Sequence, residues 1–223
     1  MSGAALTLAP PRTVAVEARS LAHRFGARVA LEPQQFRLDG GIVAVTGPNG
    51  SGKSTLLRIV AGLLRPSAGE CVVSVAGRAL PPLARRIHAG LMSPMLSLYE
   101  ELTVGENLEF AAEARGLAAP RRAAAAALER VGLGARAADR AGALSSGLLQ
   151  RLRLAFATLG SPALLLLDEP GSHLDEEGRG ALETWIRSVA RDALVMVATN
   201  DEREWRLADR TIQLRGRDLG DPA

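Results

Sequence analysis

The stretch Gly41-Ile-Val-Ala-Val-Thr-Gly47-Pro-Asn-Gly-Ser-Gly52-Lys53-Ser-Thr55 decides the fold. Its first part, Gly41 to Thr46, is a short apolar run with β-branched residues between glycines, which reads as a buried strand. Its second part fits the spacing G-x-x-x-x-G-K-[ST]. The loop Gly47, Pro48, Asn49, Gly50, Ser51, Gly52 turns successive backbone N–H groups inward around a phosphate, and the glycines permit the backbone angles. After it, Ser54 to Leu64 carries Leu56, Leu57, Val60, Leu63 and Leu64 at helical spacing. A helix starting there points its N-terminus at the same anion. Lys53 reaches the β- and γ-phosphates, and the Ser54 hydroxyl, next to Thr55, completes a magnesium shell.

A second stretch complements the first. Leu164-Leu-Leu-Leu-Asp168-Glu169-Pro170 is an apolar strand ending in two carboxylates. In open α/β sheets ligands sit at the carboxyl ends of strands. Asp168 placed there holds Mg²⁺ opposite Ser54. Glu169 beside it accepts a proton from an attacking water or orients that water.

Between these stretches, Val14–Ala18, Glu70–Ala76 and Ala89–Met92 read as strands. Thr103-Val-Gly-Glu106 has capping-box spacing. Pro120 opens an alanine-rich helix that ends at Gly132. Ser145 or Ser146 caps a third long helix running to about Leu159. Residues 96–158 hold no convincing strand and read as a helical subdomain inserted in an α/β core. Beyond it, Leu194–Ala198 and Thr211–Leu214 are strands, with helices over Glu177–Ala190 and Glu202–Ala208. The alternation implies a mostly parallel sheet with covered faces.

Composition narrows the function. The chain has 223 residues, 47% hydrophobic and 23% charged, enough for one large domain with a real core. The longest charge-free stretch, Leu154 to Leu167, is broken by Gly160-Ser161-Pro162 and is shorter than the roughly 18 apolar residues of a membrane span. The first residues have no basic charge before their apolar stretch and do not read as a signal peptide; a flexible tail is expected to Arg12. One cysteine, Cys71, rules out an internal disulfide. All but one of the 27 basic residues are arginine, the exception being Lys53. Arginine inflates the pI of 9.9, yet net charge is only +3. No basic run exceeds two residues and aromatics are 3%, so nucleic acid is not an expected partner. His23, His88 and His173 lack metal-ligand spacing and are expected on the surface or in loops, and Arg85-Arg86 and Arg121-Arg122 on solvated faces.

The set of motifs in order resembles the ATP-binding subunits of ABC transporters, from about Val14 to Arg215. Leu144-Ser145-Ser146-Gly147-Leu148 is similar to the family signature Leu-Ser-Gly-Gly-Gln. Gly171-Ser172-His173-Leu174-Asp175 is similar to the loop after the carboxylate pair. The resemblance implies an α/β P-loop NTPase core, an antiparallel β part near the N-terminus and one cassette over the whole chain. It implies ATP and Mg²⁺, with Phe25 against adenine. Two subunits, alike or different, would face each other head to tail. Each ATP would lie between the 47–55 loop of one and Ser145, Ser146, Gly147 and Asp175 of the other. The partner would be a separate membrane permease met near Tyr99–Asn107, and the place the cytoplasmic face of the membrane. The segment Leu98-Tyr-Glu-Glu-Leu-Thr-Val-Gly-Glu-Asn-Leu108 looks like exporter-type subunits, with heme, drug and lipid exporters the nearest styles. The alternatives are a soluble ABC-type ATPase without a permease and a nucleotide-binding regulator with little turnover.

Three positions depart from that pattern. Pro94 stands where the family has a Gln near the γ-phosphate, and offers neither amide nor N–H. Asn200, in Thr199-Asn200-Asp201, stands where the family has a switch histidine. Asparagine hydrogen-bonds a phosphate oxygen but carries no proton near pH 7. Leu148 replaces the signature Gln. Retained Lys53, Ser54, Asp168 and Glu169 with these losses imply ATP binding with slow or partner-dependent hydrolysis, with Glu169 and Asn200 as the catalytic pair.

Overall fold

The computed structural model describes residues 13–172 and 174–215. The segment up to Arg12 and His173 lie outside the described residues. The first half of the deciding stretch forms β3 (Ile42–Thr46), and the fold is organised around it. With β6 (Ala89–Met92), β7 (Leu164–Asp168), β8 (Leu194–Ala198) and β9 (Arg210–Gln213) it makes a five-stranded sheet in the order β6-β7-β8-β3-β9. Every recorded pairing in that sheet is parallel.

The central strands are apolar throughout because both faces are covered. Val43, Val45, Leu164, Leu166, Leu194 and Met196 point into one core, with α1 (Lys53–Val60) and a second sheet. Ile42, Leu165, Leu167, Val195 and Val197 point into the other. That core is closed by α3 (Val104–Ala114), α4 (Pro120–Arg130), α5 (Ser146–Thr158) and α6 (Glu176–Val189). Each fully buried Leu or Val contributes roughly 1.5–3 kcal/mol, so this two-sided sheet is the main source of stability.

The second sheet is antiparallel and holds β1 (Val14–Phe25), β2 (Arg28–Leu38), β4 (Ala68–Val75) and β5 (Arg78–Leu80) in the order β2-β1-β4-β5. It departs from the sequence reading. β1 is twelve residues long and does not stop at Ala18. Its alternation breaks at Arg19 and Ser20, where the register with both neighbours shifts and Ser20 takes a φ of 46°. That bulge hides the continuing strand from a period-two reading. β2 was not foreseen. It is an edge strand, half polar, and carries Pro33, which an edge tolerates.

Other differences are local. α1 ends at Val60, short of the apolar spacing, because Gly62 takes φ 75° and the Leu63 N–H turns back to the Arg58 carbonyl. A short helix, α2 (Pro82–His88), was also missed. His23 is buried on β1, not exposed, with Nδ1 3.3 Å from the Ser67 hydroxyl. Arg85 is buried too, donating to the carbonyls of Leu80 and Cys71 and filling the gap between α2 and β4. The capping box is as expected: the Glu106 N–H donates to Thr103 Oγ1 and the Thr103 N–H to Glu106 Oε2. The last helix, α7 (Glu202–Trp205), is a single turn.

Candidate nucleotide site

The strand order brings three loops together. β8 lies between β7 and β3, so the residues after β8 are flanked by those after the other two. Lys53, Asn200 and the Asp168–Glu169 pair, distant in sequence, therefore meet at one edge of the sheet, where strand ends and helix starts leave a cleft.

The 47–55 loop is built around Lys53. Its side chain is 7% exposed, and Nζ donates to the carbonyls of Gly47 at 2.7 Å and Pro48 at 3.3 Å, and to Asn200 Oδ1 at 3.0 Å. Asn200 Nδ2 donates in turn to Asn49 Oδ1 at 2.8 Å. Burial pulls the Lys53 pKa down, opposed by the negative charges of Glu169 and Asp168. α1 starts at Lys53 with Gly52 as N-cap, no side-chain cap and no acid in its first turn. Gly52 is left-handed at φ 99°, and a Cβ there would run into the Ala30 carbonyl of β2. No other residue fits.

Whether this loop suits a phosphate is answered by what it leaves open. Ser51 Oγ is buried without a hydrogen-bond partner, and the first N–H groups of α1 lack a capping side chain. These are donors open to an anion, set beside the positive charge of Lys53, whose own N–H groups are held by Gly47, Pro48 and Asn200. Pro48, Asn49 and Gly50 form the exposed lip, and Ser54 and Thr55 are half-buried in the first turn.

Across the cleft, Asp168 is 6% exposed and hydrogen-bonded to Ser54. Burial raises its pKa, the Ser54 bond offsets part of that rise, and the neighbouring Glu169 adds to it. A hydroxyl and a carboxylate held side by side are a fit donor set for a hard divalent cation. Glu169 is exposed and sits at φ 51°, a costly conformation for a non-glycine residue. It is held there from two sides. Its N–H donates to the Ala198 carbonyl at 2.8 Å. Gln150 Nε2 donates to the carbonyls of Glu169 at 3.3 Å and Pro170 at 2.8 Å.

The remaining site residues lie elsewhere. Ser145 caps α5 by accepting from the Leu148 N–H at 3.4 Å. Ser145, Ser146, Gly147, Leu148, Arg151 and Asp175 line an open groove of about 350 Å³. Asp175 therefore belongs with Ser145–Gly147; it also caps α6 through the Gly178 N–H. Phe25 is 53% exposed at the end of β1, against the His23 ring at 4.5 Å between centroids, so it is not a core aromatic. Pro94 is exposed directly after β6, with Ser93 buried before it.

Sequence reasoning missed Gln150 and Glu204. Gln150 is 2% exposed in α5, and only its place on the helix face it shares with buried Leu154 and Ala157 could have marked it. Nothing in the local sequence marked Glu204.

Strand, glycine loop, helix, and a buried acid at the end of a strand one removed in the sheet define a nucleoside-triphosphate-binding α/β cassette. The family described as ABC transporter matches residues 34–172. An uncharacterised ABC transporter ATP-binding protein of Mycobacterium tuberculosis is 39% identical over 184 residues, 78% of this chain and 56% of that one. A sulfate/thiosulfate import ATP-binding protein of Bradyrhizobium diazoefficiens is 37% identical over 199 residues, 85% of this chain and 57% of that one. The structure also overlays, with a TM-score of 0.79 and 26% identity over 89% of this chain and 94% of the other, on a dimeric ATP-binding cassette solved after hydrolysis with ADP and Pi. The chain belongs to the ABC transporter family, as an ATP-binding ATPase cassette of it. It spans about half the length of these two curated relatives.

Proposed function

We propose that the chain is the ATP-binding and hydrolysing subunit of a transporter, closing as a head-to-tail dimer on two ATP molecules and working on a separate membrane permease. The whole chain serves as one cassette, with residues 96–158 as its helical subdomain. One observation carries this reading. The 47–55 loop, Asn200 and the carboxylate pair form one cradle, while the second turn of anion-binding type, Ser145–Gly147, opens into a groove of its own. A second copy, or a relative, brings that turn to the cradle.

In this reading the 47–55 amides, with Ser51 and Lys53, hold the phosphates, and the exposed face of Phe25 takes the adenine. Ser54 and Asp168 would hold Mg²⁺, which when bound neutralises charge on the phosphates. Glu169, fixed from Ala198 and Gln150, orients the attacking water. The Asn200 group that can reach a phosphate oxygen is Nδ2, which here donates to Asn49 Oδ1. It supplies a hydrogen bond but no proton. Ser145, Ser146, Gly147 and Asp175 complete the other subunit's site.

Among the described residues no helix is long and apolar enough to cross a membrane. The exposed apolar side chains Met95, Tyr99 and Phe110, the last two ring to ring at 5.4 Å, supply a surface for the permease. The chain then works on the cytoplasmic face of the membrane. The Leu98–Leu108 segment favours export, although the Bradyrhizobium relative is named for import.

A second reading, a nucleotide-responsive regulator with little turnover, is favoured by the contact of Asn200 on Lys53 and by Pro94. Calorimetry and phosphate release separate the two. The transport reading expects uptake of ATP with magnesium and turnover that the native permease raises. Uptake with no turnover even beside the permease leaves the regulator. Turnover of the isolated chain near 10 per second, an ordinary enzyme rate, would show that Asn200 and Pro94 do not limit it.

A further inference from the structure

Glu204, in α7, is 9% exposed, and its Oε2 is buried without a hydrogen-bond partner. A carboxylate is rarely kept in such a place without a task. It lies between two loops of the site. Its Oε1 lies against the Gly171 backbone, and Thr199 and Gly171 are groups that oppose the rise of its pKa on burial. Thr199 directly precedes Asn200; Gly171 begins the run to Asp175 that follows Pro170. Gly171 is not left-handed, yet a Cβ on it would strike Glu204 Oε1. The close approach of carboxylate to backbone is therefore the reason for glycine there.

Arg179 of α6 runs alongside, donating to the Leu174 carbonyl at 3.1 Å and to Asp201 Oδ2 at 2.7 Å. Asp201 and Arg179 are the charges acting on Glu204. Glu176, Glu183 and Arg203 line the small cavity of about 80 Å³ that it borders between α6 and α7.

We propose that Glu204 is a positioning residue that locks the Asn200 loop to the Gly171–Asp175 loop, so that one strut sets both halves of the nucleotide site. This rests on the transport reading above, in which Asn200 faces the chain's own nucleotide and Asp175 the partner's. When the dimer closes on Asp175, the displacement passes through Gly171 and Glu204 to Thr199 and Asn200. Loss of the strut loosens both loops and uncouples the movement of one from the other.

The test uses the full chain with Mg-ATP. E204A lowers kcat by about 10-fold while KM for ATP stays within about 2-fold, the pattern of lost alignment and not of lost binding. Amide hydrogen exchange in 171–175 and 199–206 rises by roughly 10-fold in E204A before nucleotide is added, and exchange in the 47–60 segment does not. E204Q keeps an acceptor for Gly171 and an amide for the Thr199 hydroxyl, and restores both readouts. G171A pushes the carboxylate aside and reproduces the E204A loss, and G171A/E204A is no worse than either alone. Should E204A fail to fold, G171A and E204Q decide by the same criteria. Wild-type kcat and exchange in E204A or G171A overturn the proposal, as does an E204Q variant no better than E204A. A wild-type chain that takes up no ATP defeats the transport reading instead, and the exchange measurement still reports on the strut.

Discussion

The helices that begin at Lys53 and Ser146 both open from Ser- and Gly-containing turns, and they are prepared for an anion in opposite ways. The first is complete within one chain. It is uncapped, half-buried, and tied to groups from two other strands: Asn200 on Lys53, and Asp168 on Ser54. The second is capped by its own Ser145 hydroxyl, exposed, and opens on a groove that nothing among the described residues fills. A preorganised site binds its ligand unaided; an exposed turn whose donors are partly satisfied contributes only when a partner presents the ligand to it. The first should govern affinity and the second closure.

The sharpest way to break this contrast is Lys53→Ala. Removing a cation hydrogen-bonded to phosphate costs about 1.5–3 kcal/mol, so affinity for Mg-ATP should fall by about 10- to 150-fold by calorimetry. Unchanged affinity would mean the cradle is not where the triphosphate sits. Glu169→Gln acts on the other property. Hydrolysis should drop by about 10²–10⁴-fold while binding persists, and ATP-loaded dimers should accumulate by light scattering. Dimers forming equally without nucleotide would remove ATP from the interface.

Gly147→Asp probes the second turn without disturbing the fold, since the nearest atom to a Cβ there is Leu174 Cδ2 at 3.9 Å. A carboxylate on that turn repels a phosphate brought by a partner. Turnover should fall by about 100-fold with affinity of the isolated chain changed by less than about 2-fold. Equal losses in both would merge the two regions into one intramolecular site.

What the sequence showed and hid follows the same division. The cradle was legible because its chemistry is contiguous: Gly47 to Thr55 carries the turn, the ammonium and the helix start in nine residues. The capping box at Thr103 and Glu106, and the Ser145 cap, were legible for the same reason. The antiparallel sheet was only partly so. Its strands are half-solvated, bulged at Ser20 and interrupted by Pro33, and their pairing is set by neighbours far away in sequence. His23 and Arg85 were misjudged because burial depends on which face a strand or helix turns inward, and short or bulged elements do not announce it. Gln150 and Glu204 act by touching loops 19 or more residues away, Gln150 on Glu169 and Glu204 on Gly171.

A smaller effect comes from Asn200→His. Wild type offers no group at that position that titrates between pH 6 and 8. The histidine variant should gain an inflection near pH 6.5 in its turnover, and turnover about 10-fold higher if the asparagine is what slows the chain. A flat profile with unchanged rate would show that this position does not touch the reaction.

The smallest expected effect concerns Glu204 and needs no nucleotide. Burial raises its pKa in the fold above the ordinary 4.5, with Thr199, Gly171 and the charge of Arg179 offsetting only part. The native state therefore binds more protons than the unfolded chain between those two values. The associated stability is fully present below pH 4.5 and is lost as pH rises through the folded value. At pH 8 the wild type bears the cost of an ionised, half-satisfied carboxylate, and Glu204→Gln does not. Thermal melts should therefore place E204Q at or above wild type at pH 8, with its relative advantage shrinking as pH is lowered towards 4.5. An E204Q variant less stable at pH 8 than at pH 5, relative to wild type, would mean that the carboxylate is stabilised as an anion. The strut would then be an ion pair with Arg179, and not the contact of a neutral carboxyl with the Gly171 backbone that joins the two loops.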